Sequence, residues 1–148
     1  MSDFRIKTCV LGPVSTNCYV ICNEKTKEAV IVDPADHASR ILDKCCELNV
    51  KPEAILLTHG HFDHIMAAKE VKEAFGCKIF AGRAEEKMLL DPGMNMSVNM
   101  GIRQISIHPD VLVDDSCIHS HNLTRLTLSK PFAKIVPISL ESTVCPTK

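Results

Sequence analysis

The segment Thr58-His59-Gly60-His61-Phe62-Asp63-His64 constrains this chain more than any other. It sets three imidazoles and a carboxylate directly after the apolar run Ala54-Ile55-Leu56-Leu57 and before a helix-like stretch from Ile65. Burying Asp63 without a partner is costly, and clustered imidazoles serve no packing purpose. Imidazole and carboxylate are groups that bind zinc, iron and manganese. A metal centre at a strand end explains the pattern better than a core or a solvated loop.

The spacing suits two ions. Residues two apart in an extended chain point the same way, so His59 and His61 are expected to reach one ion together. Asp63 and His64 fall where the chain turns into a helix, and are expected to diverge toward a second ion. Gly60 leaves room for the backbone to approach the cluster. Two neighbouring ions can hold a bridging hydroxide and clamp a developing oxyanion.

The surrounding pattern places this motif in an α/β framework. Phe4, Ile6, Thr8 and Val10 alternate with Arg5, Lys7 and Cys9, which predicts a half-buried strand. Residues 17–22 and the fully apolar 29–32 read as two more strands, joined through the polar turn 24–27 into an antiparallel meander. Asp33-Pro34 stops the third strand, and Asp36 is expected to cap the next helix. Ala38, Ile41, Leu42, Cys45 and Leu48 give that helix its apolar face, with Arg40, Asp43, Lys44 and Glu47 on the wet side. A strand over 54–58 delivers the motif at its C-terminal end, the end that binding sites in open α/β sheets favour. One helix carrying Ile65, Ala68, Val71 and Phe75 follows, ended by Gly76. A strand over 77–81 and a short helix over 84–90 complete the alternation, which argues for a sandwich half with helices outside the sheet.

Length and composition bound what such a unit does. A chain of 148 residues fits one domain with a core of its own. The net charge is −1 with scattered charges, and Trp is absent, so neither nucleic acid nor an anionic membrane is an expected partner. No apolar run is long enough to span a bilayer. The N-terminal Met1-Ser2-Asp3-Phe4-Arg5-Ile6-Lys7 lacks a signal-peptide core, so the chain is expected to be cytoplasmic. The eight cysteines form no C-x-x-C pair and read as thiols; Cys18, Cys22 and Cys45 are expected to be small buried hydrophobes. Met94, Met96 and Met100 suit either a flexible wall beside a substrate or ordinary loop packing, and packing is favoured. Arg83 and Lys87 suit either contact with an anionic substrate or, mixed with Glu85 and Glu86, a solvated helix face, and the solvated face is favoured.

His59, His61, Asp63 and His64 match the H-x-H-x-D-H signature of the metallo-β-lactamase superfamily. Leu11-Gly12-Pro13, Thr16-Asn17-Cys18-Tyr19 and Val30-Ile31-Val32-Asp33-Pro34 resemble the opening strands of its glyoxalase II-like (hydroxyacylglutathione hydrolase-like) members. Asp91-Pro92, Asn95, Ser97 and Pro109-Asp110 resemble a later loop. The resemblance implies the N-terminal half of an αββα sandwich, with a mostly antiparallel or mixed sheet and outer helices. It covers residues 1–117 as an incomplete domain, followed by a divergent tail over 118–148, part strand and part loop. In that tail no G-H-T segment supplies a further His, and the bridging Asp and final His of the family are missing. His119 and His121 form another H-x-H pair, but their position is wrong for the family's third His; a polar strand or loop is the better expectation. His37 and His108 read as loop residues.

The resemblance also implies a chemistry. His59 and His61 would hold one metal, Asp63 and His64 the other, with zinc the expected ion and iron or manganese as substitutes. Asp33 would support the site by orienting a His ligand from behind. Asp63 would also orient the attacking water. The implied reaction is hydrolysis of a small-molecule thioester by metal-activated hydroxide. Two alternatives stay open: a non-catalytic, truncated metal-binding fold, and an iron-dependent oxidoreductase of the persulfide dioxygenase kind. An uncovered half sandwich also exposes apolar surface suited to self-association.

Overall fold

The structure is a computed structural model that describes residues 3–114. The tail with His119 and His121 lies outside the described residues. Three strands open the chain: β1 (Phe4–Leu11), β2 (Thr16–Asn23) and β3 (Glu28–Val32). They pair as the antiparallel meander expected from sequence. The turn between β2 and β3 is tied by Asn23, whose Oδ1 accepts the N–H groups of Lys25 and Thr26 at 2.9 and 3.0 Å.

From there the chain alternates. Helix α1 (Ala38–Leu48) leads to β4 (Lys51–Leu57), α2 (Phe62–Ile65), α3 (Ala68–Phe75) and β5 (Lys78–Gly82). A 3₁₀ turn (Arg83–Glu85) runs into α4 (Glu86–Leu90), and the last element among the described residues is β6 (Val111–Val113). Among the described residues the strands form one six-stranded mixed sheet in the order β1-β2-β3-β4-β5-β6. The pairs from β3 onward are parallel, as helical crossovers allow. Among the described residues no helix is long and apolar enough to cross a membrane.

Side chains alternate between the two faces of this sheet. Cys18, Val20, Cys22, Ile31, Ile55, Leu57 and Ile79 point to the helical side, where they pack with Ile41, Cys45, Ile65, Val71 and Leu89. Ile21, Val30, Val32, Ala54, Leu56 and Phe80 form a second cluster on the opposite face. Strands β3 and β4 are therefore apolar on both sides, which explains their continuous apolar runs. The cysteines behave as packing residues: Cys18, Cys22 and Cys45 are buried, and burial pushes the Cys45 thiol up to about 12.

Several local expectations are corrected. In β1 the apolar alternants do not face the main core. Ile6 and Val10 are 61% and 53% exposed, while Cys9 and Leu11 meet the helical side. Ile6 pairs with Ile21 and so lies over the second face, at the sheet edge where neighbours are few. Asp36 does not cap α1. His37 occupies the cap in a left-handed conformation, and the Asp36 carboxylate instead accepts the His37 N–H at 2.7 Å. The single helix expected after the motif is two, α2 and α3, broken at Met66-Ala67, where the Ala67 N–H bonds the Pro34 carbonyl at 3.0 Å. Strand β6 was not expected; only three residues long, it carries no periodic signal of its own.

The loop after α4 inverts the usual partition. Met94, Met96 and Met100 are exposed, whereas Asn95 and Ser97 are fully buried. Asn95 Nδ2 donates to the Ile105 carbonyl at 2.7 Å, and its Oδ1 accepts the Ser97 N–H at 3.0 Å. The Asn95 carbonyl takes the Phe62 N–H at 2.9 Å, which fixes the start of α2. Buried backbone groups require partners, so the polar side chains occupy the interior and the methionines are left outside. Asn95→Ala strands the Ile105 carbonyl and the Ser97 N–H. It should lower stability by about 2–4 kcal/mol, read as a reduced urea midpoint at unchanged slope; an unmoved midpoint contradicts this account.

Candidate metal centre

The motif sits where β3, β4 and α2 meet. Strand β4 ends at Leu57, and Thr58 to His61 run across the C-terminal edge of the sheet into α2. Phe62 and Ile65 are buried and anchor that short helix. Its polar residues Asp63 and His64 are left facing the histidines.

The three imidazoles are gathered. The His59 and His61 rings lie 4.9 Å apart edge to face, and the His59 and His64 rings 4.0 Å apart. His59 thus neighbours both partners rather than His61 alone. Asp63 and His64 are brought together, with Asp63 Oδ2 3.3 Å from His64 Nε2. Gly60 is needed for a different reason from the one expected. Helix α4 backs directly onto it, and a Cβ there would stand 3.0 Å from Met88 Cγ and 3.1 Å from the Leu89 nitrogen.

Asp33 holds the arrangement from behind. It adopts a left-handed conformation (φ 49°) that Asp tolerates better than most residues. Its own N–H continues the ladder to the Leu56 carbonyl at 3.0 Å. The carboxylate, 3% exposed, accepts the Thr58 N–H at 2.8 Å on Oδ1. On Oδ2 it accepts the Thr58 hydroxyl at 2.5 Å and His64 Nδ1–H at 2.9 Å.

These bonds assign tautomers. The Thr58 hydroxyl has one hydrogen, which goes to Asp33. Its oxygen, 3.0 Å from His59 Nδ1, therefore accepts the His59 Nδ1–H. With Nδ1 engaged on both His59 and His64, each neutral ring presents the Nε2 lone pair. Burial and the neighbouring His64 push the His59 pKa down, which keeps that lone pair unprotonated near neutrality. Burial pulls His64 down as well, but the Asp33 hydrogen bond and the charges of Asp33 and Asp63 outweigh it and leave its pKa raised. The Thr16 hydroxyl on β2 donates to Asp63 Oδ2 at 2.6 Å and fixes that carboxylate.

The donor set fits a divalent transition metal. Donor atoms of Asp33, His59 and His64 lie within 4.8 Å of one another, a spacing one ion bound by all three would accept. The Asp33 carboxylate, however, already accepts three hydrogen bonds, so orienting the imidazoles accounts for it better than ligation. Thr16, Thr58 and Glu85, whose Oε2 accepts the Gly60 N–H at 3.0 Å, were not among the sequence-predicted site residues. Thr58 had a local signal, a hydroxyl adjoining the first histidine. Thr16 and Glu85 reach the motif from 47 and 25 residues away along the chain, and no spacing rule reveals such contacts.

Comparison with known proteins agrees with this geometry. A family profile described as the metallo-beta-lactamase superfamily matches residues 11–129. An uncharacterised protein of Mycobacterium tuberculosis is 43% identical over 82 residues, 55% of this chain and 37% of that protein. Hydroxyacylglutathione hydrolase GloC of Haemophilus influenzae is 34% identical over 89 residues, 60% of this chain and 42% of the enzyme. The chain thus spans less than half the length of these relatives. Among solved structures, the B3 metallo-beta-lactamase BLEG-1 is 37% identical with a TM-score of 0.69, covering 75% of this chain and 54% of that one. TTHA1623, solved in a di-iron-bound form, is 25% identical with a TM-score of 0.60, covering 72% of this chain and 54% of that one.

Thr58→Val keeps the side-chain shape but removes the hydroxyl that links Asp33 to His59. Loss of a residue that orients a ligand typically weakens metal affinity ~10–100-fold, and a chelator-competition titration with zinc should show a loss in that range. Wild-type affinity in this variant would mean that the link does not hold His59.

Proposed function

The chain belongs to the metallo-beta-lactamase superfamily, and on that footing we propose that it is a metal-dependent hydrolase whose substrates are small-molecule thioesters. The observation that carries this reading is the convergence of His59, His61 and His64 beside Asp63, with two of the rings oriented from behind. His59 and His61 hold one ion in this reading, and Asp63 and His64 the second. Zinc suits imidazole and carboxylate donors, and when bound it supplies Lewis acidity that makes hydroxide available near neutral pH and polarises a carbonyl.

The chain's own residues prepare the site for that chemistry. Asp33 and Thr58 present Nε2 of His64 and His59 in fixed directions. Thr16 steadies Asp63, the carboxylate that orients the attacking water in this proposal. A thiolate leaves readily because thiols ionise near pH 8.5, so a thioester asks little of a general acid. The likeness to a hydroxyacylglutathione hydrolase over part of the chain supports the thioester assignment. The likeness to a di-iron protein favours a second reading, iron-dependent redox chemistry at the same residues.

Elemental analysis of the purified chain and an assay with an S-acylated glutathione, run beside His59→Ala, test the proposal. Zinc uptake and thioester turnover, both lost in His59→Ala, are the expected result. Iron with oxygen-dependent turnover favours the redox reading, and metal uptake without any turnover reduces the proposal to a metal-binding unit.

Protons compete with metal at imidazole nitrogens. The His64 pKa is raised above its ordinary 6.5, so its proton is displaced less easily than from an ordinary imidazole. Apparent zinc affinity should therefore keep rising with pH beyond 6.5 and level off only above the His64 pKa. Affinity flat between pH 5.5 and 8 would exclude His64 as a ligand.

A further inference from the structure

We propose that Glu85 is a positioning residue for the metal centre, acting through the backbone of Gly60 to set the relative placement of His59 and His61. This inference rests on the metal reading given above. Glu85 ends the 3₁₀ turn after β5, in a stretch whose charges read from sequence as a solvated face. Arg83 and Lys87 are exposed as expected, but Glu85 is only half-exposed and turns inward. Its Oε2 accepts the Gly60 N–H at 3.0 Å.

Gly60 is the peptide between the two histidines, so whatever fixes it fixes both. Two contacts from one segment converge on it. Met88 and Leu89 of α4 close one side so tightly that a Cβ would sit 3.0–3.1 Å from them and they would have to give way. The Glu85 carboxylate holds the N–H. A carboxylate acceptor makes a stronger bond than a neutral one, and this N–H has no helix or strand partner to fall back on. Glu85 need not touch metal or substrate to do this. Its effect passes through the geometry of the His59-Gly60-His61 backbone.

The test compares Glu85→Ala and Glu85→Gln with wild type in the full chain. Gln keeps a carbonyl oxygen that accepts the Gly60 N–H, whereas Ala removes both bond and charge. Zinc affinity is measured by chelator competition, and urea unfolding is measured in EDTA. With cobalt(II) as a probe, visible absorption reports the ligand geometry. Glu85→Ala should bind zinc ~10-fold or more weakly, with a shifted cobalt spectrum. Glu85→Gln should recover the wild-type spectrum and most of the affinity. A lower unfolding midpoint in Glu85→Ala with zinc affinity and cobalt spectrum unchanged overturns the proposal, because Glu85 would then serve the fold alone. Failure of Glu85→Gln to restore the spectrum overturns the backbone route. If wild type takes up no zinc, the metal reading falls and this inference with it; if wild type binds and Glu85→Ala matches it, this inference alone falls.

Discussion

The buried carboxylate of Asp33 is the interaction on which the site depends. It joins the end of β3 to the end of β4 through both the backbone and the hydroxyl of Thr58, and it joins both to α2 through His64. An isolated carboxylate at this depth would be prohibitively costly. Here it accepts three hydrogen bonds, and among the described residues no buried side-chain polar atom lacks a partner. The same bonds that make the charge tolerable orient the imidazoles, so stability and site geometry share one device. Asp33 makes these bonds from a left-handed backbone conformation.

The sheet supplies the stage. Strands β3 and β4 run parallel, so their C-terminal ends lie side by side and Asp33 arrives next to Thr58 without a long excursion. Apolar side chains on both faces hold those two strands in register. Around this edge three other segments close in: Thr16 from β2, the Asn95 loop beneath α2, and the Glu85–Leu89 stretch behind Gly60. Each comes from a different part of the chain.

Much of this was legible in the residues. The meander, α1, β4 and β5 follow from periodicity and turn residues, because burial of one face imposes that periodicity on any sequence. The motif was legible because four ligand-type residues in one short run have no packing explanation. The misreadings share a cause. Ile6 and Val10 have the alternation of buried residues, yet an edge strand offers them few neighbours. The methionines of the 94–100 loop look like filler, yet the backbone's need for partners gives the interior to Asn95 and Ser97. Glu85 has the composition of a wet surface, yet its carboxylate turns in to accept the Gly60 N–H.

The sequence by itself determined the family, the α/β alternation and the identity of the candidate ligands. These depend on local pattern, and local pattern survives in a string of residues. Only the tertiary structure decided which nitrogen His59 and His64 present, what crowds Gly60, and which distant groups hold the cluster in place. Those properties arise from contacts between segments tens of residues apart. Chain connectivity does not encode such contacts until the sheet brings the segments together.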